Sequence, residues 1–179
     1  MKLSSSQVLY EKIGAIGKIC LNRPEEGNKI SREMFLALNE AVDEAVRDRE
    51  VRVVVFCGKG DHFCSGFDVG DPEASLNNNE EDTVDWMFRR ENTQEEIDLW
   101  MKIRNMRKPT IGAMKGSVLG GGWFMAMTFD CLIAADTTVF DNLEFALGMG
   151  YTIYLPWDAY KIPMNIAKQK AFTGEATTA

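Results

Sequence analysis

Two glycine-centred stretches carry the chemistry open to this sequence. Phe63-Cys-Ser-Gly-Phe-Asp68 and Lys115-Gly-Ser-Val-Leu-Gly-Gly-Gly-Trp123 each set a tight turn, poor in side chains, beside an apolar run. Main-chain N–H groups bared at such turns can donate hydrogen bonds to an oxygen that becomes negative as a reaction proceeds. Glycine lets that oxygen come close because it has no Cβ. One turn of this kind commonly does no more than link a strand to a helix. Two of them, about fifty residues apart among alternating strand and helix signals, point to a two-donor oxyanion hole.

The surrounding elements must position those turns. Val8 to Lys12 and Gly17 to Leu21 read as two strands joined by a hairpin at Ile13-Gly-Ala-Ile. Ser31 then caps a helix running to about Asp48, with Met34, Phe35, Leu38, Ala41, Val42, Ala45 and Val46 in one apolar stripe. Arg52 to Cys57 is nearly all apolar and β-branched, the pattern of a strand buried on both faces. The opening order is therefore β-β-α-β. Asp71 to Glu81 reads as an exposed loop around Asn77-Asn-Asn79. A long helix is expected between Asp82 and Met106, with Ile97, Trp100, Ile103 and Arg104 on a shared face and Pro109 beyond its end. Trp123 to Thr128 reads as a short apolar helix, followed by the run Asp130 to Ala135.

Size and composition narrow the class. A chain of 179 residues builds one domain with a core, and 45% hydrophobic with 26% charged residues is a globular balance. A formal charge of −7 argues against a general nucleic-acid surface, which carries a basic excess. No run of eighteen apolar residues suits a membrane span. The start Met1-Lys-Leu-Ser-Ser-Ser-Gln has too short an apolar core for a signal peptide, so a cytoplasmic protein is expected. Cys20, Cys57, Cys64 and Cys131 contain no Cys-x-x-Cys pair and lie in or beside apolar runs, where reduced core residues are expected. With a single histidine, no metal site is expected.

Four segments in this order resemble the crotonase (enoyl-CoA hydratase/isomerase) superfamily: Leu21-Asn-Arg-Pro24, Asn28-Lys-Ile-Ser31, the Ser65-Gly-Phe-Asp68 turn and the triple glycine at 120–122. The resemblance covers nearly the whole chain. It implies an α/β fold, the crotonase-like ββα superhelix, as a single core domain over residues 1–179. Gly148 to Trp157 and Lys170 to Gly174 resemble the region just after the family's active site. Full-length relatives continue into a further helical segment that covers the acyl site and helps build trimers, so a chain truncated at its C-terminus is expected. With that segment present, the resemblance implies a homotrimer or a hexamer.

The same resemblance assigns roles. One oxyanion donor would be the amide of Phe67, after Gly66; the other would be the amide of Gly121, after Gly120, with the dipole of the helix starting there adding positive potential. Together they would hold the carbonyl oxygen of an acyl-CoA thioester as it becomes an enolate. Hydratases of the family carry two glutamates. Phe124 stands at the first position and cannot move a proton, whereas Glu144, in Phe140-Asp-Asn-Leu-Glu144, matches the second. Apolar neighbours Leu143 and Phe145 would raise the pKa of Glu144 towards neutrality. One base suffices for a 1,3-proton shift, so double-bond isomerisation is preferred slightly over hydration. Decarboxylation, thioester hydrolysis and a non-catalytic assembly module are the alternatives. Coenzyme A, as part of the substrate rather than a separate cofactor, would lie along Glu25, Glu26 and the residues to Asn28, and along Ser65, Gly66, Asp68, Val69 and Gly70. Glu25, Glu26 and Gly27 replace basic residues often found there, which lowers the expected phosphate affinity. The family counterpart of Asp68 is mostly structural.

Other chemistries fit less well. His62, Ser65 and Asp61 or Asp68 are too close in sequence for three spaced triad roles, and no Gly-x-Ser-x-Gly elbow is present. His62 is expected to be a turn residue. The glycines match neither dinucleotide nor phosphate-loop patterns. Tyr151, Tyr154 and Trp157 suit either an acyl pocket or the core.

Overall fold

A computed structural model describes residues 3–68, 85–142 and 161–179, with the backbone alone for 85–93. The expected hairpin is formed by β1 (Val8–Ile13) and β2 (Ile16–Leu21), antiparallel with Ile13 opposite Ile16 across a two-residue turn. Helix α1 (Arg32–Arg47) follows. Ser31 caps it, its hydroxyl accepting from the Met34 N–H at 3.1 Å. Strand β3 (Val53–Gly58) then lies parallel to β2. Helix α2 (Asp85–Arg104) crosses to β4 (Thr110–Met114), and β6 (Cys131–Ala134) closes a five-stranded sheet ordered β1-β2-β3-β4-β6.

A second, three-stranded sheet was not evident in the residue pattern. It consists of β5 (Ser117–Leu119), β7 (Val139–Asp141) and β8 (Thr177–Thr178). Between β5 and β6 stands α3 (Gly121–Thr128), all eight residues buried; α4 (Met164–Thr173) precedes β8. Buried Lys170 ties α4 to the small sheet. Its Nζ donates to the carbonyls of Phe140 (3.2 Å) and Glu175 (3.0 Å) and to Thr177 Oγ1 (3.1 Å), and sits 5.2 Å from the centre of the Trp123 ring. A charge can stay inside a core only when its donors are met in this way.

The large sheet has two unlike faces, because side chains alternate along each strand. Val8, Ile19, Leu21, Val54 and Phe56 face the core with Met34, Leu38, Ala41, Val42 and Ala45 of α1. Phe56 stacks on Phe129 with ring centres 4.5 Å apart, and Phe63 meets Phe129 edge-on. The opposite face carries Leu9, Ile13, Ile16, Val53, Val55 and Ile133, exposed or half-buried. The expectation that β3 is buried on both faces is therefore corrected: its burial alternates, and β-branched residues fill a half-open face as readily as a closed one.

Two further expectations change. Val46 lies 44% exposed at the end of the α1 stripe, where the helix has turned past the sheet. Among the described side chains of α2, those fully buried are Leu99, Trp100 and Ile103, while Ile97 and Arg104 lie only partly buried.

Candidate active site

The first glycine turn is held between two strands. Cys64 bonds on one side to β5, its N–H donating to the Ser117 carbonyl and its carbonyl accepting from the Leu119 N–H. Two residues on, the bonding changes sides: Ile30 N–H donates to the Gly66 carbonyl at 2.8 Å, and Asp68 N–H donates to the Ile30 carbonyl at 2.9 Å. Gly66 makes this change at φ +102°, a conformation that side-chain-bearing residues rarely adopt. Because the peptide between Gly66 and Phe67 is planar and trans, the Phe67 N–H points away from Ile30. Among the described residues it meets no acceptor.

The second turn abuts the first. Gly120 adopts φ +46°, ψ −115°, and its N–H donates to the Asp141 carbonyl at 2.9 Å. The carbonyl of Gly120 accepts from the Phe124 N–H at 3.0 Å and so points along α3. The Gly121 N–H points the other way, out of the first helical turn, where donors have no partner within the helix. The first turn of α3 itself carries no acidic residue, and among the described residues no side chain caps it. A Cβ on Gly120 would lie 3.6 Å from the Cα of Gly66, and a Cβ on Gly66 would lie 3.4 Å from the Leu119 carbonyl. The Phe67 ring rests on the bare Cα of Gly121, 2.8 Å from where a Cβ would stand. Phe67 thus contributes an amide with no acceptor among the described residues and a ring that would have to move for a side chain at 121.

The two segments expected along coenzyme A are neighbours as well. Ser65 N–H donates to the Gly27 carbonyl at 2.9 Å, and Ser65 Oγ lies 2.6 Å from the place of a Gly27 Cβ. Asn28 organises this corner. It is fully buried at φ +56°; its Oδ1 accepts from the Arg23 N–H at 2.8 Å, and its Nδ2 donates to the carbonyls of Lys59 (2.9 Å) and His62 (2.8 Å). Residues 22–30 and 58–66 are thereby clamped into one surface. In sequence Asn28 stands out as part of a helix-start motif and as the end of the expected coenzyme A segment, not as an anchor; its tolerance of left-handed backbone directly after a glycine is the signal that marks such a residue.

Arg23 completes the corner. Its guanidinium donates to Asp68 Oδ2 at 2.8 Å, to Glu26 Oε2 at 2.7 Å and to the Lys29 carbonyl at 3.1 Å. Asp68 and Glu26 are engaged by this cation, while Glu25 stays exposed on the short 3-10 helix Pro24–Glu26. Asp68 has the structural part expected of it. His62 is a turn residue, its Nδ1 accepting from the Ser117 N–H at 3.0 Å, which leaves that nitrogen no part in a triad. Burial pushes the Cys64 thiol up to about 12, so it is no nucleophile at neutral pH. Cys131 is exposed and Cys57 half-buried, against the expectation of four core cysteines. The short length of the apolar runs hid which face of the sheet each one takes.

Phe124 is buried in the core, part of the second turn of α3. Glu144, Val69 and Gly70 lie outside the described residues, as do Tyr151, Tyr154, Trp157 and the expected loop from Asp71 to Glu81. Among the described residues no group of three or more His, Cys, Asp or Glu is placed to hold a metal, and no helix is long and apolar enough to cross a membrane.

A parallel-stranded α/β core that packs two glycine turns against each other at the start of a buried helix defines a protein of the crotonase fold class. Comparison with known proteins agrees. The family model described as enoyl-CoA hydratase/isomerase matches residues 11–179, and the chain belongs to that family. A protein of Mycobacterium bovis named "Probable enoyl-CoA hydratase echA8" is 31% identical over 142 residues, which is 79% of this chain and 51% of that protein. The "Probable enoyl-CoA hydratase 1, peroxisomal" of Arabidopsis thaliana is 30% identical over 136 residues, 76% of this chain and 47% of that protein. The crystal structure of an enoyl-CoA hydratase/isomerase from Marinobacter aquaeolei superimposes with a TM-score of 0.84 at 27% identity, covering 98% of this chain and 66% of that one. The chain thus spans about half the length of these curated relatives.

Proposed function

We propose that this protein acts on acyl-CoA thioesters, stabilising a thioester enolate with the amides of Phe67 and Gly121. The single observation that supports this most is the close approach of the two glycine turns, with both amides lacking an acceptor among the described residues and Gly66 and Gly120 at positive φ. Two such donors bind the enolate oxygen better than the neutral carbonyl, and each lowers the barrier by about 3 kcal/mol. The dipole of α3 acts in the same direction. Glu144 is the proposed proton carrier. With Phe124 at the other carboxylate position and buried among apolar side chains, Glu144 alone remains of the family's pair of glutamates. That favours isomerisation of a 3-enoyl-CoA over hydration of a 2-enoyl-CoA, because a single carboxylate can take a proton from one carbon and return it to another. For a chain carrying the family's C-terminal segment, the same reading gives a trimer or a pair of trimers in the cytoplasm.

Assaying a 3-enoyl-CoA beside a 2-enoyl-CoA tests the preference; fast hydration of the 2-enoyl ester with Phe124 in place overturns it. Glu144→Gln is expected to abolish turnover while acyl-CoA still binds, and unchanged turnover removes Glu144 from the mechanism. The buried Phe124 also favours a second reading, a family member retained as a non-catalytic assembly module. Titration calorimetry with acetyl-CoA separates the two, since a scaffold gives no saturable heat.

A further inference from the structure

We propose that Cys57 and Cys20 form a peroxide-sensitive dithiol, in which Cys57 is the sulfur that the peroxide oxidises and Cys20 the one that resolves it. The two are register partners on the adjacent parallel strands β3 and β2, so their side chains leave the same face of the sheet. That face is the half-open one: Leu9, which stands opposite Cys20 on β1, is 38% exposed, and Cys57 itself is only partly buried. Neighbouring strands lie about 4.8 Å apart, inside the Cα separation of about 4.4–6.8 Å that a disulfide spans. Both thiols are free; Cys20, at 6% exposure, donates its S–H to the Leu21 carbonyl at 3.7 Å, and Cys57 is the more open of the two.

Charge distinguishes the two sulfurs. The adjoining Cys20 thiol, followed by the nearby cations Lys18 of β2, Lys115 after β4 and Lys59 after β3, holds Cys57 down to about 7. The carboxylate of Glu11 on β1 faces Lys18 at 3.9 Å and draws on only one of the three cations. The adjoining Cys57 sulfur and burial raise the Cys20 thiol, which therefore keeps its proton. A partly exposed thiolate among lysines is the form that peroxides oxidise.

The step balances. The Cys57 thiolate attacks one peroxide oxygen, the O–O bond breaks, and the departing hydroxide or alkoxide takes a proton, leaving a sulfenic acid. Cys20 then attacks that sulfur, the S–O bond breaks, and the leaving hydroxide takes up the Cys20 proton as water. Two thiols and one hydroperoxide yield a disulfide, one water and one alcohol, or two waters from hydrogen peroxide. Thiols of a reducing compartment reverse it. The bond would form one residue from the Asn28 clamp, since Gly58 abuts Asn28 Nδ2 and the Leu21 carbonyl accepts from the Lys59 N–H at 2.9 Å.

Treating the protein with hydrogen peroxide and mapping its peptides by mass spectrometry tests the assignment, independently of any acyl-CoA activity. The expected product is a Cys20–Cys57 linked peptide pair lacking two hydrogens, restored by dithiothreitol. In Cys20→Ser, dimedone should capture a sulfenic acid at Cys57, and in Cys57→Ser neither product should form at Cys20. Alkylation of Cys57 by iodoacetamide should rise about tenfold from about pH 6 to about pH 8 and then level off, where an ordinary thiol keeps climbing. Oxidation confined to exposed Cys131, with Cys20 and Cys57 recovered as thiols, overturns the proposal. So does Cys57 alkylation that is still climbing steeply beyond that range.

Discussion

Replacing Asn28 tests the corner on which the candidate site is built. Asn28→Ala removes three hydrogen bonds at once, those to Arg23 N–H and to the carbonyls of Lys59 and His62. Each is worth about 1 kcal/mol net, and a buried group left unpaired costs about 1–3 kcal/mol. The position is fully buried, so water cannot replace the lost partners without opening the loop. Alanine must also adopt φ +56°, which costs about 1 kcal/mol more than it does for glycine. The expected loss is about 4 kcal/mol for Asn28→Ala and about 3 kcal/mol for Asn28→Gly. For a domain of this size that lowers Tm by roughly 10 °C for alanine and by a few degrees less for glycine. Urea unfolding monitored by tryptophan fluorescence measures both variants. A loss below about 1 kcal/mol for alanine, or glycine less stable than alanine, would refute the role given to this side chain. Acyl-CoA affinity should fall in the same order, because residues 25–28 and 65–68 lose their common anchor.

Three further outcomes follow from local geometry. Ser31→Ala should cost about 1 kcal/mol in urea unfolding through loss of the α1 cap, whereas Ser31→Asp should keep most of it. Gly120→Ala should cost about 1–3 kcal/mol although the new Cβ meets only an ordinary contact at 3.6 Å; the backbone conformation, not crowding, opposes it, and an unchanged Tm would contradict this. Lys12 donates to both Asp48 and Glu50, and its hydrogen bond holds Asp48 below its ordinary pKa. A depressed folded-state pKa gives stability that is present above the unfolded value and lost as pH falls through the folded one. The stability of the wild type should therefore decline below about pH 4 more steeply than that of Lys12→Met, and equal acid slopes would count against the pair.

Much of the framework was legible because its causes are local. The Ser31 cap, the stripe from Met34 to Ala45 and the Ile13–Ile16 hairpin each depend on residues within one turn or one strand. The alternating burial of β3, the exposure of Cys131 and the choice of Leu99 on α2 were not legible. A short run of β-branched or apolar residues has the same spacing whether one face or both are covered, and α2 has almost no sided pattern of its own.

The residues alone determined that this chain would carry two glycine-centred turns about fifty residues apart and would lack a carboxylate where Phe124 stands, because those are properties of side-chain type and order. Tertiary structure decided the rest. Gly66 and Gly120 are more than fifty positions apart, and long-range bonds such as the bridge of Cys64 to Val118 and the Phe63 N–H to the Lys115 carbonyl bring them together. Arg23, Asn28 and Asp68 likewise become one clamp only when packing closes the long loops between them. Contacts of that range are set by which surfaces the sheet and helices bury, and no short window of sequence contains that information.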